Sequence, residues 1–170
     1  MPVLHATVAS PFGAIPVFTT QLASAKGHSR IRQEPVAAFC RFVAERGHEG
    51  IPPVLIGDFN APPEAEEIRC LVGKAAPSVP GVVLLDAWAY AQPLEPGWTW
   101  DRCNPLGAAT LEPDARIDYV FVGSPDTRAR GHILAAELVG TQPVDSIWPS
   151  AHIGVLVELR GGASDDGVVS

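Results

Sequence analysis

Apolar residues gather in two short runs at the start of the chain, Val3 to Val8 and Ile15 to Thr20, separated by Ser10-Pro11-Phe12-Gly13. The pattern predicts two strands joined by a Pro/Gly turn, so the chain opens inside a sheet. From Ser29 the spacing changes: Val36, Phe39, Cys40 and Val43 recur at helical intervals. Pro35 is tolerable only near the first turn of such a helix, and Gly47 and Gly50 should end it. Pro53 to Gly57 predicts a short apolar strand. Pro62-Pro63-Glu64, followed by Glu66 and Glu67, predicts a helix start with acidic residues at its positive end.

Further along, Val82 to Trp88 is another apolar run, and Pro93 to Gly107 is a turn-rich loop anchored by Trp98 and Trp100. Arg116 to Val122 and Ile153 to Leu159 are rich in Val, Ile, Tyr and Phe and predict strands. The second barely alternates and is expected to be fully buried. No internal repeat is visible, and strands followed by helices point to a layered α/β domain over residues 1–160. Residues 161–170, with nothing to bury, are expected to form a frayed tail.

Composition narrows the field. The chain has 170 residues with 46% hydrophobic content, which suits one packed domain. A net charge of -7 should repel a phosphate backbone, which weighs against long nucleic acids. Arg30 with Arg32, or Arg128 with Arg130, remain candidates for facing a single phosphate group, although solvated surface arginines explain the second pair more simply. Cys40, Cys70 and Cys103 are odd in number and widely spaced, so neither a disulfide framework nor a structural zinc site is indicated. Cys40 and Cys70 read as small core residues. No basic segment with an apolar core opens the chain, and no run reaches membrane-spanning length, so a soluble cytoplasmic protein is expected.

Three places carry candidate chemistry. Gly57-Asp58-Phe59-Asn60 leaves a strand for a loop, where residues two apart point the same way and Asp58 and Asn60 share a face. A carboxylate beside an amide can orient a water and hold a phosphoryl oxygen, while an Asx turn ahead of a helix explains the same two residues without chemistry. Asp118 lies on the face of Val120 and Val122 inside a strong strand, and a buried carboxylate needs a partner: Arg116 two residues away, or an imidazole from elsewhere. His152 precedes an apolar run and should sit at the rim of the sheet. There an imidazole held by a carboxylate can stay cationic beside a phosphoryl group or act as acid or base.

Gly57-Asp58-Phe59-Asn60-Ala61, Arg116-Ile117-Asp118-Tyr119-Val120-Phe121 and Ser150-Ala151-His152 stand in an order and spacing that resembles the endonuclease/exonuclease/phosphatase family. Val17 to Leu22, the Arg32-Gln33 helix start, Thr99-Trp100-Asp101 and Asn104-Pro105 extend the resemblance over residues 3–160. The resemblance implies a four-layer α/β sandwich, two central sheets covered by helices, and a hydrolase that cleaves phosphodiesters or phosphomonoesters with an activated water and Mg²⁺ or Mn²⁺. It assigns Asp58 to the attacking water, Asn60 to phosphate or metal, Asp118 to holding the catalytic histidine, and His152 to that histidine. Asp58 with Asn60 would be what remains of the metal ligands, and Gln21, Trp100, Asp101 and Asn104 would line the substrate side.

The departures from the family pattern are specific. Ala151 stands where an aspartate normally helps to bind the metal, and Gln21 where many members carry a histidine. The family's early strand ending in asparagine, and its metal-binding glutamate, have no counterpart here. The expectation is therefore a partial domain lacking N-terminal strands and its main metal site, with little or no activity as it stands and small phosphoesters as the open substrate class. The alternative is a catalytically dead interaction module, or a truncated fragment that needs a partner for the missing half. An unpaired sheet edge favouring self-association would accompany it.

Overall fold

The computed structural model describes residues 3–25, 27–47 and 50–162. The chain runs β1 (Val3–Ser10), β2 (Gly13–Gln21), α1 (Ser29–Arg46), β3 (Val54–Asp58), α2 (Glu66–Leu71), β4 (Leu84–Asp86), α3 (Ala87–Ala91), α4 (Pro105–Ala108), β5 (Asp118–Gly123), β6 (Ile133–Val139) and β7 (Gly154–Leu159). The first five strands form one sheet in the order β1-β2-β3-β5-β4, and β6 and β7 form a second. β1 and β2 are a hairpin closed by Pro11-Phe12, with Ser10 opposite Gly13. β2 runs parallel to β3, with α1 as the crossover, and β3 runs antiparallel to β5. This is the mixed α/β, two-sheet architecture expected from the sequence.

β5 positions the site because both of its faces are used. Tyr119 and Phe121 join Phe18, Leu55 and Phe59 in a core closed by Val36, Phe39, Cys40 and Val43 of α1 and by Ile68 and Leu71 of α2. Val120 and Val122 point the other way, toward Ala87, Ile133, Val157 and Leu159. Period-two alternation then puts Asp118 on the side of the second sheet, the side from which β7 approaches. Gly57 is fixed by close backbone packing: its φ is +152°, and a Cβ there would lie 2.0 Å from the Thr20 carbonyl oxygen of the parallel neighbour.

Several expectations need correction. Pro35 lies in the second turn of α1, since the helix begins at Ser29, and Pro35 leaves the Ile31 carbonyl without its helical donor. α1 is retained by its buried face rather than by its backbone ladder alone. The α2 helix starts at Glu66, beyond the two prolines. The apolar run at 82–88 divides: Asp86 ends β4 and caps α3 by accepting from the Ala89 amide. β7 is not fully buried, because only alternate residues touch the core and Leu156 is 53% exposed. β6, rich in alanine, carries no strong strand signal and owes its form to pairing with β7.

In each candidate arginine pair one member is already committed. Arg32 is buried against Glu67, and Arg130 is bound by Asp126, Phe12 and Gly50. Cys40 is buried as expected, whereas Cys70 is only half-buried. From residue 163 onward the expected tail lies outside the described residues. Among the described residues, no helix is long and apolar enough to cross a membrane.

Candidate active site

Asp58 ends β3 and Asp118 begins β5, and the antiparallel register sets them directly opposite each other. Residues so paired project to the same face, so two carboxylates become neighbours at one end of the ladder. His152 arrives from the segment before β7, and its Nδ1 lies 2.8 Å from Asp118 Oδ2. One ligand-capable atom from each of Asp58, Asp118 and His152 falls within 4.8 Å of the others. The sequence left Asp118 with two candidate partners, and the imidazole is the one it meets. Arg116 turns instead to Asp86, with Nη1–O distances of 2.9 and 2.7 Å.

The Asp58 loop makes an Asx turn and a functional surface at once. Asp58 Oδ1 accepts from the Asn60 amide at 2.9 Å, and Asn60 sits at φ +48°, a left-handed conformation that asparagine tolerates better than most residues. The Asn60 side-chain nitrogen donates to Leu22 O and Asp58 Oδ2, both at 2.9 Å. Both amide hydrogens are thereby committed. What Asn60 has left to offer is its side-chain oxygen, an acceptor suited to a cation or a water rather than to a phosphoryl oxygen. Gln21 donates one Nε2 hydrogen to Asp58 Oδ2 at 3.3 Å and retains a second. Phe59 is fully buried between Phe39, Tyr119 and Phe121 and anchors the turn, as its alternation requires.

The loop from Trp98 to Asn104 divides its tasks. Trp100 stands edge-on to the His152 ring, with centroids 4.9 Å apart, and so walls the imidazole. Asp101 Oδ1 accepts from the Cys103 amide at 2.7 Å and shapes the loop. Asn104, expected on the substrate side, is fully buried: it caps α4 through Leu106 N and donates to Ser150 O at 2.8 Å. It holds the site together rather than facing a ligand. Thr99, in the Thr99-Trp100-Asp101 stretch that resembles the family, stands behind the site. Its Oγ1 accepts from the amides of Ile117 and Asp118 at 3.1 and 3.0 Å. Only its full burial marks it out, and a lone Thr between two Trp gives no such signal.

Electrostatics favour a cation here. Burial raises the Asp118 carboxyl above its ordinary range; hydrogen bonds from His152 and Thr99 pull it down, and the Asp58 charge pushes it up. An ionised Asp118 only accepts, so His152 Nδ1 carries a hydrogen and Nε2 is left for chemistry. Two facing carboxylates, an amide oxygen and an imidazole make a donor set of the kind that holds a divalent ion. Ala151, beside His152, contributes no side-chain donor.

No protein-family model and no curated protein sequence matches the chain. Solved structures do. TDP2 from D. rerio, in complex with a single-strand DNA product, superposes with a TM-score of 0.72 at 20% identity, over 93% of this chain and 61% of that one. A mannosyl-6-phosphatase from Bacteroides thetaiotaomicron gives 0.62 at 21% identity over 86% and 51%. An endonuclease/exonuclease/phosphatase family protein from the same organism gives 0.60 at 20% identity over 86% and 48%. The chain thus spans roughly half to three-fifths of these structures. It shares the mixed α/β fold of these structures over the part of them that it spans.

Proposed function

We propose that this chain carries the water-activating and histidine-bearing part of a divalent-metal-dependent phosphoester hydrolase. The observation that supports this most is the convergence of Asp58, Asp118 and His152 within 4.8 Å at the ends of three strand segments. In this reading the Asp58 carboxylate accepts a proton from the attacking water, and the Asn60 amide holds Asp58 in place. Gln21 donates its second Nε2 hydrogen to a phosphoryl oxygen. Cationic His152, fixed by Asp118, presents Nε2–H to the same group, donating a hydrogen bond to a phosphoryl oxygen and the proton that the departing ester oxygen needs. A bound Mg²⁺ or Mn²⁺, held by Asp58, Asp118 and the Asn60 oxygen, would neutralise charge on the phosphoryl group.

Small phosphoesters are the proposed substrate class. The net charge of -7 weighs against a polyanion and leaves small phosphoesters as the class this site suits. Turnover by the chain as it stands is expected to be slow, because Ala151 supplies no ligand. The test is hydrolysis of bis(p-nitrophenyl) phosphate and p-nitrophenyl phosphate with Mg²⁺ or Mn²⁺. Slow metal-dependent release of nitrophenol, lost in Asp58→Ala and increased in Ala151→Asp, supports the reading. No metal-dependent release from the parent chain or Ala151→Asp overturns it.

A second reading has its own observation. β1 is the edge strand of the larger sheet, and Leu4 and Val8 on it are 65% and 47% exposed. An apolar edge of this kind favours pairing with a second copy of the chain. Sedimentation across a range of concentrations tests it: a dimer abolished by Leu4→Lys is expected, and a monomer throughout refutes it.

A further inference from the structure

We propose that Thr99 and Asn104 are positioning residues that fix the Asp118–His152 couple from a single loop, Thr99 gripping the start of β5 and Asn104 strapping down the chain that leads into His152. The catalytic consequence rests on the phosphoester reading above; the positioning itself does not.

Asp118 and His152 come from distant parts of the chain, and the bond between them at 2.8 Å is exposed on one side, with the His152 side chain a third accessible. A partly wet hydrogen bond has little rigidity of its own. The rigidity comes from behind. Thr99 Oγ1 accepts from Ile117 N and Asp118 N, and its carbonyl accepts from Ile153 N at 2.8 Å. One buried residue therefore ties the residue holding the histidine to the residue that follows the histidine.

Asn104 completes the bracket from the other end of the loop. Its Nδ2 donates to Ser150 O at 2.8 Å and more weakly to Ala151 O at 3.4 Å, while its Oδ1 is used by Leu106 N. His152 N donates to Ser150 Oγ at 3.0 Å, so the residue that Asn104 holds also orients the histidine backbone. Both residues are fully buried, so neither can touch substrate. A general stabilising role would account for the burial but would leave the imidazole tautomer indifferent.

The tautomer is the discriminating measurement, read from imidazole ¹⁵N shifts of His152 in the full chain above the imidazole titration range. The parent chain is expected to hold the Nδ1–H form. Thr99→Val, which keeps shape and removes the hydroxyl, should lower the ratio of Nδ1–H to Nε2–H roughly fivefold, the effect of one ordinary hydrogen bond. Thr99→Ser should restore it. Asn104→Ser keeps a helix cap but is too short to reach Ser150, and should lower the ratio similarly. If Thr99→Val does not fold, Thr99→Ser and Asn104→Ser still decide. A ratio unchanged in folded Asn104→Ser overturns the proposal. Absence of any phosphoester turnover with the tautomer shifts intact would sink the functional reading and leave the positioning; turnover with no tautomer shift would do the reverse.

Discussion

Replacing Arg32 with methionine puts the packing logic of this fold under its severest test. Glu67 and Arg32 are 1% and 5% exposed, and Glu67 is held by the Arg32 guanidinium and by the Ser29 hydroxyl. Methionine fills most of the volume but leaves a buried carboxylate without its cation. Breaking such a pair costs about 3–5 kcal/mol, a large share of the ~5–15 kcal/mol that stabilises a typical domain. At a urea slope of about 2 kcal/mol per M, a loss of about 4 kcal/mol moves the midpoint down by roughly 2 M. The double variant Arg32→Met with Glu67→Met removes both charges and should recover most of the loss, since apolar replacements of buried pairs are often neutral or better. Arg32 also holds Ala23 O and Ala25 O, and the neighbouring Leu22 O accepts from Asn60, so the single variant should loosen the Asp58 turn as well. Urea unfolding of the four proteins in the cycle measures the coupling. A single-variant loss below about 1 kcal/mol, or a double variant that simply adds the two losses, refutes the reasoning.

Other outcomes follow from the site. Mn²⁺ should stabilise the chain against urea by about 2.7 kcal/mol at a hundredfold excess over its dissociation constant, and Asp58→Asn or Asp118→Asn should abolish the gain; equal stabilisation of all three proteins refutes the ligand set. Burial holds the Asp118 carboxyl above its unfolded value, so the folded state keeps a proton that the unfolded state has already lost. Stability relative to Asp118→Asn should therefore fall as pH rises from the ordinary carboxylate range through the raised one, and a flat or rising difference in urea midpoint counts against the shift. Gly57→Ala forces a Cβ onto the Thr20 carbonyl and should cost about 2–4 kcal/mol through strain and overpacking, measured as a lowered urea midpoint.

The elements built on strong apolar pattern were legible from the sequence. The β1–β2 hairpin, the buried face of α1 at Val36, Phe39, Cys40 and Val43, and strands β3 and β5 all lie close to where their residues predicted them. β6 was not, because Ala135 and Ala136 carry no strand preference and the strand exists through its partner. β7 was legible as a strand but not as half-exposed: its apolar run tells of preference, and only the two-stranded sheet it joins decides how much is covered. At the site, the sequence brought forward Asp58, Asn60, Asp118 and His152 and left the Asp118 partner open, since the chain distance between Asp118 and His152 hides their proximity. Thr99 was out of reach for a different reason. Its importance lies in accepting two backbone amides, and backbone partners leave no mark on a sequence.

The two-faced character of β5 has a consequence for how this protein can change. Tyr119 and Phe121 serve one core while Val120 and Val122 serve the other, so a slip of one residue against β3 would exchange the occupants of both cores at once. The same slip would part Asp118 from Asp58. Two carboxylates facing each other have no attraction of their own to keep them in register; the aromatic and aliphatic side chains further along the strand do it for them. Substitutions in either core of β5 are thus inherited by the acidic pair at its end, and the spacing of the site is free to drift only as far as two unrelated packing arrangements agree to let it.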